Sequence, residues 1–246
     1  MIFTLIIGIL LSQVKDQENL RQQQPQEILR NQENAKVEKN HLKEAMIRTP
    51  LLANEPDKRS EQELPAVALT FDDGPSSYTN QLLDGLRKRA VQATFFLQGQ
   101  CIEGREAVVK QMHEDGHLIG NHTFHHVQLN LLSEQKAAFE VTATGNAIYE
   151  ITGVYPQFIR PPFGEWRSGL DVHVDMIPIL WSVDSHDWCM QDTKKIVECV
   201  LRDTKEGDII LMHDCYQTSV DAALQIVDEM KKQGFRFVTA DEMILS

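Results

Sequence analysis

Five short stretches of the 246-residue chain carry side chains able to do acid–base or metal chemistry. They are "FDDG" (Asp72, Asp73), "NHTFHH" (His122, His125, His126), "RPPFG" (Arg160, Phe163), "DSHDW" (Asp187, Trp188) and "LMHD" (His213, Asp214). Two adjacent acids at the end of an apolar run disfavour each other's ionisation. A cation relieves that conflict if one Asp ligates it and the other remains free as a base beside it. His122 and His126 are four apart, so on a helical turn both imidazoles reach one metal, and His125 competes with His126 for the second place. Arg160 can pair with an acid, and His213 can pass a proton to a leaving group. Asp187 can orient or tune a histidine, and Trp188 can wall a small apolar pocket.

These stretches need a common platform. Apolar patterning predicts strands at Val67–Phe71, Ala93–Leu97, Leu118–Gly120, Phe158–Ile159, Ile177–Val183, Asp208–Met212 and Phe235–Val238. Amphipathic segments between them predict helices at Asn80–Arg89, Arg105–Glu114, Ser133–Ile151, Thr193–Arg202 and Thr218–Gln233, the third capped by Ser133. Alternating strands and helices imply a parallel sheet with crossovers. Seven strands suggest an incomplete (β/α) barrel, since eight full units usually need about 250 residues. Each chemical cluster then follows a strand, on the one face of such a barrel that carries active sites.

Bulk properties narrow the partners. A formal charge of −12 argues against nucleic acid or an anionic membrane surface as the main partner. Cys101, Cys189, Cys199 and Cys215 lack C-x-x-C spacing, which argues against a zinc ribbon and leaves free thiols or disulfides formed after export. Residues 1–12 form an apolar run too short to span a bilayer, and they resemble the core of an export signal, cleaved or loosely anchored to a membrane. Residues 13–64 are rich in Gln, Asn, Glu, Lys and Arg and read as a polar linker or non-globular tail. Residues 65–246 form the expected catalytic domain.

From about Ala66 to Ile244 the chain resembles the NodB-type polysaccharide deacetylases, carbohydrate esterase family 4. The resemblance rests on "TFDDGP", "HTFHH", "RPPFG", "DSHDW" and "LMH" in that order, with "ATFFLQG" and "GHLIGNHT" beside them. It implies a distorted, incomplete (β/α) barrel with a mostly parallel sheet. It also implies one divalent metal on Asp73, His122 and His126: zinc, with cobalt or nickel as substitutes. Asp72 is implied as general base and His213 as general acid. Arg160 is implied to fix the base, Asp187 to tune the acid, and Trp188 and Leu211 to wall an acetyl pocket. Phe163 stands where the family often has Tyr, and the role implied there is a backbone N–H at the oxyanion, which Phe preserves. The implied reaction is removal of N- or O-acetyl groups from sugars, here expected to be N-acetyl groups of an N-acetylglucosamine polysaccharide. The signal-like start and polar spacer point to an exported enzyme and put peptidoglycan before chitin-type oligomers. The alternatives are an O-acetyl sugar esterase and an inactive glycan-binding protein.

Overall fold

The computed structural model describes residues 64–166 and 176–245. The signal-like segment 1–12 and all of the expected tail except Leu64 lie outside the described residues. Among the described residues no helix is long and apolar enough to cross a membrane. In chain order the elements begin with β1 (Ala66–Asp72), α1 (Thr79–Lys88), β2 (Thr94–Leu97), α2 (Gly99–Ile102), α3 (Glu106–Glu114), β3 (Leu118–Asn121) and α4 (Glu134–Thr152). They continue with β4 (Phe158–Ile159), β5 (Ile177–Pro178), β6 (Val183–Asp184), α5 (Thr193–Asp203), β7 (Ile209–His213), α6 (Gln217–Lys232), β8 (Arg236–Val238) and α7 (Ala240–Leu245).

The strands lie in the order β5-β4-β3-β2-β1-β7-β6, with β8 also on β1, and every ladder is parallel. The central strand β1 is buried along its whole length, because helices cover one face of the sheet and the curled interior covers the other. Alternation divides its side chains. Val67, Leu69 and Phe71 join the main core with Leu82, Leu83 and Leu86 of α1 and Ile226 and Val227 of α6. Ala68 packs with Phe96, Phe158 and Ile179 in a separate inner cluster. Thr70 and Asp72 share the inner face, since both bond Arg160 there.

The expected strand Ile177–Val183 is two strands on opposite edges of the sheet. Ile177–Pro178 pairs with β4, and Val183–Asp184 pairs with β7. Five residue steps from Pro178 to Val183 reach at most about 18 Å. The two edges therefore come close, and the sheet curls into a distorted barrel that does not close. The N–H groups of Ile177 and Ile179 donate to Gln157 O and Ile159 O, so Pro178, between them, costs the β4 ladder no bond. Ser133 occupies the N-cap of α4 as expected, but its hydroxyl makes no capping bond. The four cysteines are unpaired.

Candidate active site

The adjacent acids reach the same place by different routes. Alternation along β1 turns Asp72 inward. Asp73 lies one residue past the strand in a left-handed conformation (φ 72°), which breaks the alternation and brings its carboxylate back toward the barrel mouth. Its Oδ1 is 3.5 Å from His122 Nε2 and 3.4 Å from His126 Nε2. Thr123, His126 and Phe163 also have positive φ. Such conformations in non-glycine residues are costly and persist where the surroundings over-determine them.

One ligand atom each from Asp73, His122 and His126 lies within 4.8 Å of the others, the single such group found among the described residues. His125 is outside it, with Nδ1 on Glu140 Oε1 at 2.8 Å. The donor set fits a cation on chemical grounds. His122 Nδ1 lies 2.6 Å from the carbonyl oxygen of Arg160. A carbonyl only accepts, so this network assigns the proton to Nδ1 and leaves a lone pair on Nε2. Burial holds the His122 imidazole below its usual pKa despite the nearby charges of Asp72 and Asp73. A lone pair facing a carboxylate oxygen is not a hydrogen bond, whereas a cation between them satisfies both. Two imidazole nitrogens and one carboxylate suit a divalent metal with positions left open.

Asp72 sits beside this group, its Oδ2 3.8 Å from His122 Nε2. Its Oδ1 accepts from Arg160 Nη1 at 2.9 Å. Arg160 is fully buried at the core of the barrel. Its other donations go to Thr70 Oγ1 (2.6 Å), Ile179 O and Leu180 O (both 3.1 Å). Its guanidinium also lies 4.3 Å from the centre of the Phe96 ring. One side chain thus braces β1, β2 and the crossing between β5 and β6.

His213 ends β7, opposite Asp72 in the ladder. Its Nδ1 is 2.7 Å from Asp187 Oδ1, and its backbone N–H donates to Asp187 Oδ2 at 2.8 Å. Burial pulls the imidazole pKa down. The Asp187 bond and the charges of Asp187, Asp72 and Asp73 outweigh it and raise the value to about 9. The carboxylate fixes the ring and favours its protonated form.

The remaining expected residues take peripheral places. Phe163 lies in the turn Pro162–Gly164 (φ 62°), 65% exposed, its ring edge-on to His126 at 4.9 Å. Trp188 is 53% exposed beyond β6, and Leu211 is buried in β7 opposite Thr70.

Two further residues shape the site. Glu140 of α4, almost fully buried, accepts from the N–H groups of Phe124 (3.0 Å) and His125 (2.8 Å) as well as binding the His125 ring. It pins the loop between His122 and His126. A lone Glu within an amphipathic helix gives no local signal of this. Asp214 is buried beneath the Asp73–Gly74 turn and accepts from the Thr79 hydroxyl. Burial raises its carboxyl to about 7, against the Thr79 bond. A Cβ on Gly74 would stand 2.7 Å from Asp214 Oδ2, so this turn has room only for glycine. Both residues stand in the quoted motifs, but their contact across 140 positions is invisible there.

Comparison with known proteins agrees with the arrangement. The polysaccharide deacetylase family model matches residues 58–173. Peptidoglycan-N-acetylmuramic acid deacetylase PdaC of Bacillus subtilis is 34% identical over 206 residues, 83% of this chain. The chain spans only 44% of that relative's length. The solved structure of PdaC superposes with a TM-score of 0.71 at 37% identity, covering 74% of this chain and 90% of that one. An acetyl xylan esterase of Clostridium thermocellum, solved with a cobalt ion, gives a TM-score of 0.69 at 31% identity, covering 73% and 90%. A peptidoglycan-N-acetylglucosamine deacetylase of Bacillus cereus is 35% identical over 187 residues, covering 72% of this chain and 87% of the relative. With one shared fold and this identity across nearly a whole relative, the chain belongs to the NodB-type polysaccharide deacetylases, carbohydrate esterase family 4.

Proposed function

We propose that residues 65–246 form a metal-dependent deacetylase that hydrolyses N-acetyl groups of an N-acetylglucosamine-containing polysaccharide, with peptidoglycan as the first substrate. The observation that carries this reading is the placement of two differently paired acid–base groups, Asp72–Arg160 and His213–Asp187, around Asp73, His122 and His126. Asp73, His122 and His126 would hold the metal, with zinc the natural occupant of a nitrogen and oxygen donor set and cobalt or nickel able to replace it. A divalent cation there supplies Lewis acidity toward an acyl oxygen and a water.

The chain's own residues move the protons. Asp72 takes a proton from the attacking water at Oδ2, since Arg160 occupies Oδ1. Water oxygen bonds to the acetyl carbon, and negative charge gathers on the former carbonyl oxygen. The Phe163 N–H donates toward that oxygen, a contribution worth roughly 3–4 kcal/mol per donor in other enzymes. His213 gives the proton on Nε2 to the amide nitrogen as the C–N bond breaks, while Nδ1 stays on Asp187. Acetate and a free amine leave. Trp188 and Leu211 wall the space for the acetyl methyl.

His213, held by Asp187, suits an amine leaving group, which must gain a proton to depart. The names of PdaC and the Bacillus cereus relative support peptidoglycan. Export to the cell envelope follows from that substrate, with the segment 1–12 as signal or weak membrane attachment. The test compares acetate release from peptidoglycan, N-acetylglucosamine oligomers and acetylated xylan at equal acetyl concentration. The amide substrates are expected to turn over fastest. Cleavage of xylan esters alone would replace this reading with the esterase one, and glycan binding without acetate from any substrate would replace it with a binding role.

A further inference from the structure

The apolar strand β2 runs directly into a glutamine, Gln98, which is only 9% exposed. A buried amide must have its polar atoms paired, and Gln98 directs its NH₂ group at the metal group. Nε2 donates to Asp73 Oδ1 at 2.6 Å. That oxygen is the one facing both His122 and His126. Oε1 accepts from Gln100 Nε2 at 2.9 Å and from Cys101 Sγ at 3.8 Å. These donors fix which way the amide points, so its NH₂ end faces the carboxylate. The Gln98 backbone N–H also donates to Gly74 O at 3.0 Å. One residue therefore grips the Asp73–Gly74 turn at two points, where Asp73 holds a left-handed backbone conformation.

We propose that Gln98 is a positioning residue for the metal ligand Asp73: it holds Oδ1 between His122 and His126, so that the three donors are arranged before a cation arrives. The inference rests on the reading of Asp73, His122 and His126 as the metal ligands. Without the amide, the Asp73 carboxylate is free to rotate about its side-chain bonds, and binding has to order it. Hydrogen-bond partners of this kind orient ligating groups, and their loss typically weakens metal affinity about 10–100-fold.

The test uses the 246-residue chain, stripped of metal and titrated with Zn²⁺ against a chromophoric chelator, and separately with Co²⁺ for its visible absorption. The wild type is expected to bind one equivalent, and absence of binding would overturn the metal reading itself. Gln98→Met keeps the length and removes the donor. It is expected to bind Zn²⁺ about 10–100-fold more weakly and to give an altered Co²⁺ spectrum, with an unchanged far-ultraviolet circular dichroism spectrum. Should Gln98→Met lose its folded spectrum, Gln98→Asn takes its place. That variant retains the amide but is one methylene too short to reach Asp73, and the same weakening is expected. A folded variant with wild-type Zn²⁺ affinity and a wild-type Co²⁺ spectrum would overturn the positioning role while leaving the metal reading intact.

Discussion

Arg160 Nη1 and Asp72 Oδ1 form a 2.9 Å ion pair in the barrel interior, where both side chains are withdrawn from solvent. The pair explains how an acid sits beside a second acid at the end of a buried strand. It also ties chemistry to folding, since Arg160 bonds the segment that crosses the gap between β5 and β6. Replacing Arg160 with Met leaves a buried carboxylate without its partner. Removing one member of such a pair costs about 3–5 kcal/mol. Urea unfolding of the metal-free protein should show that loss, and a change below 1 kcal/mol would mean that Asp72 is compensated from elsewhere.

Asp72→Asn preserves shape and the bond to Arg160 but removes the carboxylate proposed as the base. Turnover is expected to fall roughly 10²–10⁴-fold, the usual contribution of general base catalysis. Metal affinity should stay near wild type, because Asp72 is not among the proposed ligands Asp73, His122 and His126. Equal losses of metal binding and turnover would make Asp72 a ligand.

The His213–Asp187 pair predicts a pH profile. The acid form of His213 persists up to about pH 9 and disappears as pH rises through that value. Turnover should therefore decline above about pH 9, or somewhat lower where a cation at Asp73 offsets nearby negative charge. Asp187→Asn removes the carboxylate charge that favours protonation, so this alkaline limb should move down by about 1–3 in pH. A pH–kcat profile with an unmoved limb would assign it to another group.

Much of this site was legible because its residues follow strands of a parallel sheet, and strand ends in such sheets converge on one face. The apolar runs located β1, β4 and β7 to within a residue or so. What the sequence hid was lateral. Ile177–Val183 is a plausible single strand in hydropathy, and only pairing partners on opposite edges divide it. The competition between His125 and His126 could not be decided by spacing, because the loop has left-handed turns at Thr123 and His126 rather than a helical path. Glu140 settles which imidazole turns away, and it lies 15 residues further on in a helix.

His117 predicts a separate effect on stability. It lies buried in front of β3, its Nδ1 accepting from the Ala93 N–H at 3.1 Å while its Nε2 has no partner. Burial lowers its pKa from 6.5 to about 4, despite the opposing charge of Asp115. Between these values the unfolded chain binds a proton that the folded chain does not. Stability should therefore be full above pH 6.5 and fall as pH drops toward 4, by up to about 3 kcal/mol. Urea titrations with chelator present, at pH 7.5 and 4.5, should show a smaller drop for His117→Asn than for wild type. Parallel losses would remove His117 from the cause.

The most direct measurement is acetate release from N-acetylglucosamine oligomers by protein exhaustively stripped of metal, then reconstituted with one equivalent of Zn²⁺ or Co²⁺. Loss of activity on stripping, recovery on reconstitution, and no recovery in His122→Ala or His126→Ala are the predicted results. Full activity in the stripped protein would contradict a deacetylase built around Asp73, His122 and His126.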